Sequence, residues 1–317
     1  MNINSLTKQR GAALLAVLVV SVVMVILLGV ATTTLQSRLV LAQQSKQKLQ
    51  DQAQVYAKTN QLIYLLASQR LTAAGVSKGI NPQGLLRNKE GHWALQIIGD
   101  ELRSDGQLIS EENGLSYSIQ NETGLLSINS SGQYWLKRWL QKVAYSAAEQ
   151  AYLGDTLADY ADPDNWSRPG GAELASYKDQ LFPQPANFLL QGCGELWKLL
   201  RWKDVLLQQP EILTLCSLGR SDQLNLNAVP LRLWQVLWPN SAEKIASQRQ
   251  QGQWLLRETD FLGMEPALLL EIDDYYSTLG GNQFQLQISK SAALTSIRVQ
   301  RGRGLVAPFT IRMGQKP

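Results

Sequence analysis

The chain has 317 residues, of which 44% are hydrophobic and 18% are charged, so it can bury a substantial core and is too apolar for a disordered protein. Its single histidine and two cysteines leave too few ligands for a Cys/His zinc site and make a histidine-based catalytic triad a poor prospect. The net charge is +4, but the last 28 residues carry six basic residues and no acid, and Lys8 and Arg10 add two more, so residues 12–289 carry −4.

An uncharged apolar run lies near the N-terminus. It extends from Gly11 to Ala31, and its 21 residues would span about 30 Å as a helix, the thickness of a bilayer core. Apolar residues continue beyond it at helical spacing, and no proline interrupts them before Pro82. The sequence predicts a membrane span over 12–34 that continues as one long amphipathic helix to about Gly75.

The basic residues ahead of this run predict its orientation. Lys8 and Arg10 favour a cytoplasmic N-terminus by the positive-inside rule. The remainder of the chain, after about Thr34, is therefore expected outside the cytoplasm.

The rest of the chain alternates between two kinds of pattern. Short alternating runs separated by turn residues, between Trp93 and Asn129, predict an antiparallel meander. A helix is predicted from Tyr134 to Ala161. Further helices are predicted at 194–207, 231–237, 241–250 and 265–276, and strands at 283–289, 295–299 and 305–313.

This order of elements predicts an α+β fold. Strands, then about 150 mostly helical residues, then strands indicate a sheet module interrupted by an α-helical insertion. We expect the first part of the module at 35–130, the insertion at 131–280 and the terminal strands at 281–317.

The start of the apolar run resembles a known leader. Lys8-Gln9-Arg10-Gly11 followed by Ala12-Ala13-Leu14-Leu15 is similar to the class III leader of type IV pilins and type II secretion pseudopilins. The resemblance implies that residues 1–11 are a leader, that prepilin peptidase cleaves between Gly11 and Ala12, and that the new N-terminus is methylated. An ordinary single-pass anchor remains the alternative.

Four stretches further along resemble the protein K family of type II secretion pseudopilins: residues 122–129, residues 159–164 with 169–173, residues 194–196, and residues 224–230. Ala16 would be the fifth mature residue, where most pseudopilins carry glutamate and the K subunit does not. The resemblance implies a pilin-like fold and a non-enzymatic minor pseudopilin of the bacterial inner membrane, with its bulk in the periplasm. It also implies a place at the tip of the secretion fibre, among other minor pseudopilins and inner-membrane lipid.

Four carboxylates lie in a turn rich in proline and glycine: Asp159, Asp162, Asp164 and Glu173. Such oxygen-rich turns suit Ca²⁺, which takes six to eight oxygen ligands in irregular geometry. The resemblance implies calcium as well. No D-x-D-x-D-G loop is present, however, and a solvated acidic turn remains the alternative.

Cys193 and Cys216 predict one disulfide, because an even cysteine count in an oxidising compartment favours pairing. Two buried free thiols are the alternative.

Two other functions have weaker support in the sequence. The segment 224–262 resembles a helix-hairpin-helix DNA-binding module, as in a minor pilin for DNA uptake, but its turn has no glycine to expose amides to phosphate, so packing is favoured and no nucleic acid is expected. A membrane-anchored enzyme using Asp162 or Glu173 as acid or base lacks any nucleophile at suitable spacing. His92 has no companion and is expected at the surface near a strand start.

Overall fold

The computed structural model describes residues 4–80, 97–178, 183–257, 260–261, 263–265, 275–302 and 308–313. Two compact units divide the chain, Met1–Gln54 and Val55–Pro317. One helix, α1 (Asn4–Ser68), fills the described part of the first unit and continues into the second.

In the first unit, α1 is long and apolar enough to cross a membrane. Its side chains from Leu14 to Val30 are exposed. The hydroxyl groups of Ser21 and Thr32 donate to the carbonyl oxygens of Val17 and Leu28, so these polar residues are satisfied within the helix. The prediction of one continuous helix is confirmed, although it ends at Ser68 rather than near Gly75.

The second unit contains a five-stranded antiparallel sheet. Its strands are β3 (Ile109–Ser110), β4 (Ser116–Asn121), β9 (Gln283–Lys290), β10 (Ala293–Arg301) and β11 (Phe309–Met313), in the order β11-β10-β9-β4-β3. Phe284, Leu286 and Ile288 alternate along β9 on one face and share a core with Leu62 and Leu66 of α1. The predicted α+β class is confirmed.

Three short strand pairs lie outside this sheet. β1 (Gly75–Ser77) pairs antiparallel with β2 (Glu101–Arg103). β5 (Leu126–Ser127) pairs in parallel with β6 (Cys216–Ser217), and β7 (Leu224–Asn225) pairs in parallel with β8 (Tyr276–Ser277). The prediction that residues 125–129 join the meander is therefore wrong. The side chain of Asn121 caps a 3-10 helix at Glu122–Gly124, which turns the chain out of the sheet. Most of the predicted first strand, Trp93–Gln96, lies outside the described residues.

A helical region follows β5. Its helices are α2 (Tyr134–Lys142), α3 (Ala147–Ala161), α4 (Leu174–Lys178), α5 (Trp202–Gln208), α6 (Ile212–Leu215), α7 (Leu231–Leu237) and α8 (Ala242–Gln250), with 3-10 helices at Cys193–Lys198 and Pro239–Ser241. They bury a second core, which includes Trp139, Trp202, Trp234 and Phe261.

Three of the predicted helices differ from the structure. The expected helix 134–161 is two helices, because Ala144 has a φ of 73° and Ser146 forms a capping box with Glu149. The expected helix 194–207 is broken at Arg201, which has a φ of 69°. Most of the expected helix 265–276 lies outside the described residues, and its last residue, Tyr276, belongs to β8.

The helical region is inserted between neighbouring strands of the sheet. Asn121, at the end of β4, lies opposite Phe284 of β9, so the chain leaves and re-enters the sheet at the same point. The Gln120 side chain donates to the carbonyl of Ala228, 2.8 Å away, and a Cβ atom on Gly124 would overlap that same carbonyl. The stretches 122–129 and 224–230, which carry the family resemblance, thus join the insertion to the sheet.

Candidate metal centre

Three of the four predicted carboxylates converge in the insertion. Asp162, Asp164 and Glu173 place their ligand oxygens within 4.8 Å of one another. Asp162 caps the C-terminus of α3 with an extended backbone, and Glu173 lies directly before α4. Gly171 lets the connecting loop approach α3 closely, because a Cβ atom there would overlap the Asp159 carboxylate.

Glu173 and Asp162 present carboxylate oxygens that have no hydrogen-bond partner among the described residues. Glu173 is 5% exposed, and within the described part of the chain neither of its oxygens accepts a hydrogen bond of normal geometry. The Oδ1 atom of Asp162 is likewise buried and accepts no hydrogen bond from the described residues. Burial raises the pKa of Glu173, and the nearby charges of Asp159 and Asp162 raise it further. A buried carboxylate without a partner is costly, and a bound cation would offset that cost.

These residues fit calcium. Three carboxylates supply hard oxygen ligands, and backbone carbonyls and water complete such a site in other proteins. Asp164 is exposed, and its Oδ1 atom accepts a hydrogen bond from the Trp166 backbone N–H at 2.9 Å. The Asn187 side chain donates to the carbonyl of Asp164 at 3.2 Å, which ties the loop to the next segment of the insertion.

Asp159, the fourth predicted ligand, is not among the three residues whose ligand atoms lie within 4.8 Å of one another. Its side chain is fully buried, and the Nη1 atom of Arg168 lies 2.5 Å from its Oδ1 atom. The backbone N–H of Arg168 donates to Oδ2 at 3.1 Å. Asp159 is therefore occupied as the counter-ion of Arg168. The sequence could not show which acid pairs with Arg168, because Asp159 and Asp162 are both close to this arginine along the chain.

The two cysteines are bonded to each other in the structure. Cys193, in a 3-10 helix, and Cys216, in β6, have Cα atoms 6.2 Å apart. Arg298 of β10 lies beside them, with its Nη2 atom 3.8 Å from the Cys193 sulfur and its Nε atom 3.0 Å from Glu122 Oε1. The bond thus connects two parts of the insertion next to the sheet.

Removing this bond should destabilise the protein. We expect the double variant Cys193→Ser/Cys216→Ser to lose about 3 kcal/mol of unfolding free energy, because the bond restricts the unfolded chain over this loop length. Urea denaturation with and without reductant measures the loss. The variant should be insensitive to reductant, and a wild-type curve that reductant leaves unchanged would contradict the prediction.

The helix-hairpin-helix resemblance at 224–262 reflects packing. Trp234 and Phe261 are fully buried. Arg249 is 3% exposed and donates to the backbone carbonyls of Leu226 and Val229, so it has no free face for a phosphate.

The other predicted sites lie elsewhere in the chain. Gly11 and Ala12 lie within α1, and His92 lies outside the described residues.

Comparison with known proteins shows which family and fold this chain resembles. Residues 113–211, which include α2, α3 and the carboxylate cluster, match the family model of type II secretion system (T2SS) protein K. A chain of the GspK-GspI-GspJ complex from the type 2 secretion system of enterotoxigenic Escherichia coli has the same fold. Its TM-score is 0.54 at 14% sequence identity, over 86% of this chain and 99% of that one. No curated protein matches in sequence. The resemblance to protein K is thereby confirmed.

Proposed function

We propose that this chain is a minor pseudopilin of the type II secretion protein K family and that it caps the tip of the periplasmic secretion fibre. The observation that supports a tip position is the insertion. Residues 122–282 leave and re-enter the sheet between the paired strands β4 and β9, and they bury a core of their own. A fibre of close-packed pilin-like modules would have to accommodate this bulk at every subunit, whereas an end subunit has neighbours on one side only.

The first turns of the mature helix support the same position. In pseudopilins, the glutamate at the fifth mature residue pairs with the N-terminal amine of a neighbour, which offsets the cost of burying both charges in the apolar bundle. This chain has Ala16 there. It can accept such a glutamate at its own amine but cannot offer one to a further subunit, so its contacts are one-sided.

The expected partners follow from this arrangement. In the solved complex, GspK is assembled with GspI and GspJ, and we propose that other minor pseudopilins likewise bind this chain. Its apolar α1 would anchor it in the inner membrane as a single span with a cytoplasmic N-terminus, where prepilin peptidase acts. Its role is assembly rather than catalysis.

Fibre formation tests the tip position. The processed protein, overproduced without other pseudopilins, should form no long fibres in electron micrographs. Each subunit carries the insertion and has Ala16 in place of the glutamate that would pair with a neighbour's amine. Co-expression with other minor pseudopilins should give a discrete complex of low order. Long homopolymers would refute the proposal.

We further propose that Asp162, Asp164 and Glu173 hold Ca²⁺, with a structural role. Their cluster combines mutual repulsion with buried oxygens that lack partners in the described chain, and a divalent cation removes both penalties. The site closes the loop between α3 and α4 within the part that matches protein K.

Calcium should therefore raise the thermal stability of the protein. A ligand at 100 times its Kd stabilises the folded state by about 2.7 kcal/mol, and saturating Ca²⁺ should raise Tm by several degrees over chelator for a chain of this size. Glu173→Gln should abolish most of this rise. Glu243→Gln, an exposed acid on α8, should keep it. Identical melting curves with Ca²⁺ and with chelator would contradict the proposed calcium site.

The calcium effect should weaken in acid. Because burial raises the pKa of Glu173 in the calcium-free protein, the folded state binds a proton more readily than the unfolded state, and calcium-free stability falls as pH rises through that pKa. Calcium competes with this proton. The rise in Tm should therefore be full above the raised pKa and shrink as the pH drops below it.

A further inference from the structure

Arg168 contacts two acids, and only one of them belongs to the carboxylate cluster. Its Nη1 atom lies 2.5 Å from Asp159 Oδ1 and 2.5 Å from Asp162 Oδ2. The other oxygen of Asp162 is buried and lacks a partner among the described residues. Asp162 is thus a partner of Arg168 through one oxygen and a candidate metal ligand through the other.

We propose that Arg168 competes with calcium for Asp162. In the calcium-free chain it neutralises Asp162, and when calcium binds it releases Asp162 and stays on Asp159. This inference rests on the calcium site proposed above. It makes Arg168 the residue that sets the affinity of the site, although it is not itself a ligand.

The two acids differ in how firmly they hold the arginine. Asp159 is fully buried and accepts hydrogen bonds from the side chain and the backbone N–H of Arg168, and from the Ser167 hydroxyl group at 3.4 Å. Asp162 is 20% exposed at its side chain, and among the described residues its carboxylate accepts a hydrogen bond from the arginine side chain alone. Asp159 is therefore the lasting partner, and the contact with Asp162 is the one that can open.

Electrostatics determines the direction of the effect. The guanidinium group at Asp162 Oδ2 offsets the negative charge that Asp162 can present to a metal through Oδ1. The guanidinium group also repels the bound cation directly. Removing the charge of Arg168 should therefore strengthen calcium binding.

Calcium titrations of the full-length protein in detergent micelles test the proposal. By isothermal calorimetry, Arg168→Gln should bind Ca²⁺ about tenfold more tightly than the wild type, which corresponds to the loss of about one charge-assisted hydrogen bond to Asp162. Arg168→Lys keeps the charge and should bind like the wild type. Arg201→Gln should also bind like the wild type, because Arg201 lies over the Tyr152 ring, 4.5 Å away, and makes no ion pair among the described residues.

A second variant keeps the test decisive if Arg168→Gln does not fold, since that change leaves Asp159 buried without its partner. Asp159→Asn/Arg168→Gln removes both charges and should show the same tighter binding. Unchanged or weaker binding in the folded double variant, with a wild type that does bind Ca²⁺, overturns the competition and leaves the calcium site intact. Binding by the variants but not by the wild type supports the competition and contradicts occupancy of the native site. No binding by any variant overturns both proposals.

Discussion

Asp105→Ala should lower the free energy of unfolding by about 3–5 kcal/mol, the usual cost of breaking a buried ion pair by removing one partner. Asp105 lies between β2 and β3, and its Oδ2 atom is 3.2 Å from the Nη1 atom of Arg249 in α8. Both side chains are almost completely buried. The pair therefore connects the insertion to the sheet module in the interior of the second unit.

Arg249 has no solvent to compensate for a lost carboxylate. Burial lowers its pKa to about 10, and the neighbouring Asp105 offsets this only in part. Two backbone carbonyls, those of Leu226 and Val229, would still accept its hydrogen bonds at 2.8 Å, but neither carries a charge. Arg103, the second partner of Asp105, is 23% exposed at its side chain and can be solvated instead.

Urea denaturation of the full chain in detergent measures this loss. Asp105→Asn keeps an acceptor and removes the charge, so its loss should be smaller than that of Asp105→Ala. Glu111→Ala is the matched control, because it breaks a more exposed pair with Lys58 and should cost about 1 kcal/mol or less. Equal losses for Asp105→Ala and Glu111→Ala would show that the buried pair does not hold the insertion in place.

The sequence was most informative where the signal is local. The uncharged run and the absence of proline predicted α1, and the two terminal segments that form β9 and β10 were also predicted as strands. The break of the helix after Lys142 also has a local signal that the prediction did not use, since Ser146 and Glu149 have the spacing of a capping box. The left-handed conformations of Ala144 and Arg201 have no such signal, because neither residue type favours them.

Pairing between distant segments could not be predicted in this way. β4 lies beside β9, although the whole insertion separates them along the chain, and β5 pairs with β6, which lies much further along the insertion. The same limit applies to the candidate site. Spacing placed four acids in one turn, but the choice of Asp159 as the partner of Arg168 depends on how the loop folds back over α3.

Gly11→Lys should leave the protein as an uncut precursor held in the membrane. A protease holds the backbone around the scissile bond in an extended form, and a long charged side chain just before that bond obstructs this. Residue 11 also lies within α1, which begins at Asn4. The peptidase must therefore locally unwind the helix to reach the scissile bond. We expect processing to fall from complete to undetectable.

Intact mass measured from cells with active prepilin peptidase gives a direct answer. The wild type should lack residues 1–11 and begin at Ala12, whereas the variant should keep the leader. Gly29→Ala is the matched control, because Gly29 lies in the same helix and an added Cβ atom there would meet no atom within 4 Å beyond the adjacent residues and backbone of its own helix, so this variant should be processed normally. A wild-type protein that keeps its leader, or one cut near Ala31, would contradict the pseudopilin assignment of the N-terminus. Because the proposed tip contact requires a free amine at Ala12, the Gly11→Lys variant should also fail to enter a complex with other minor pseudopilins.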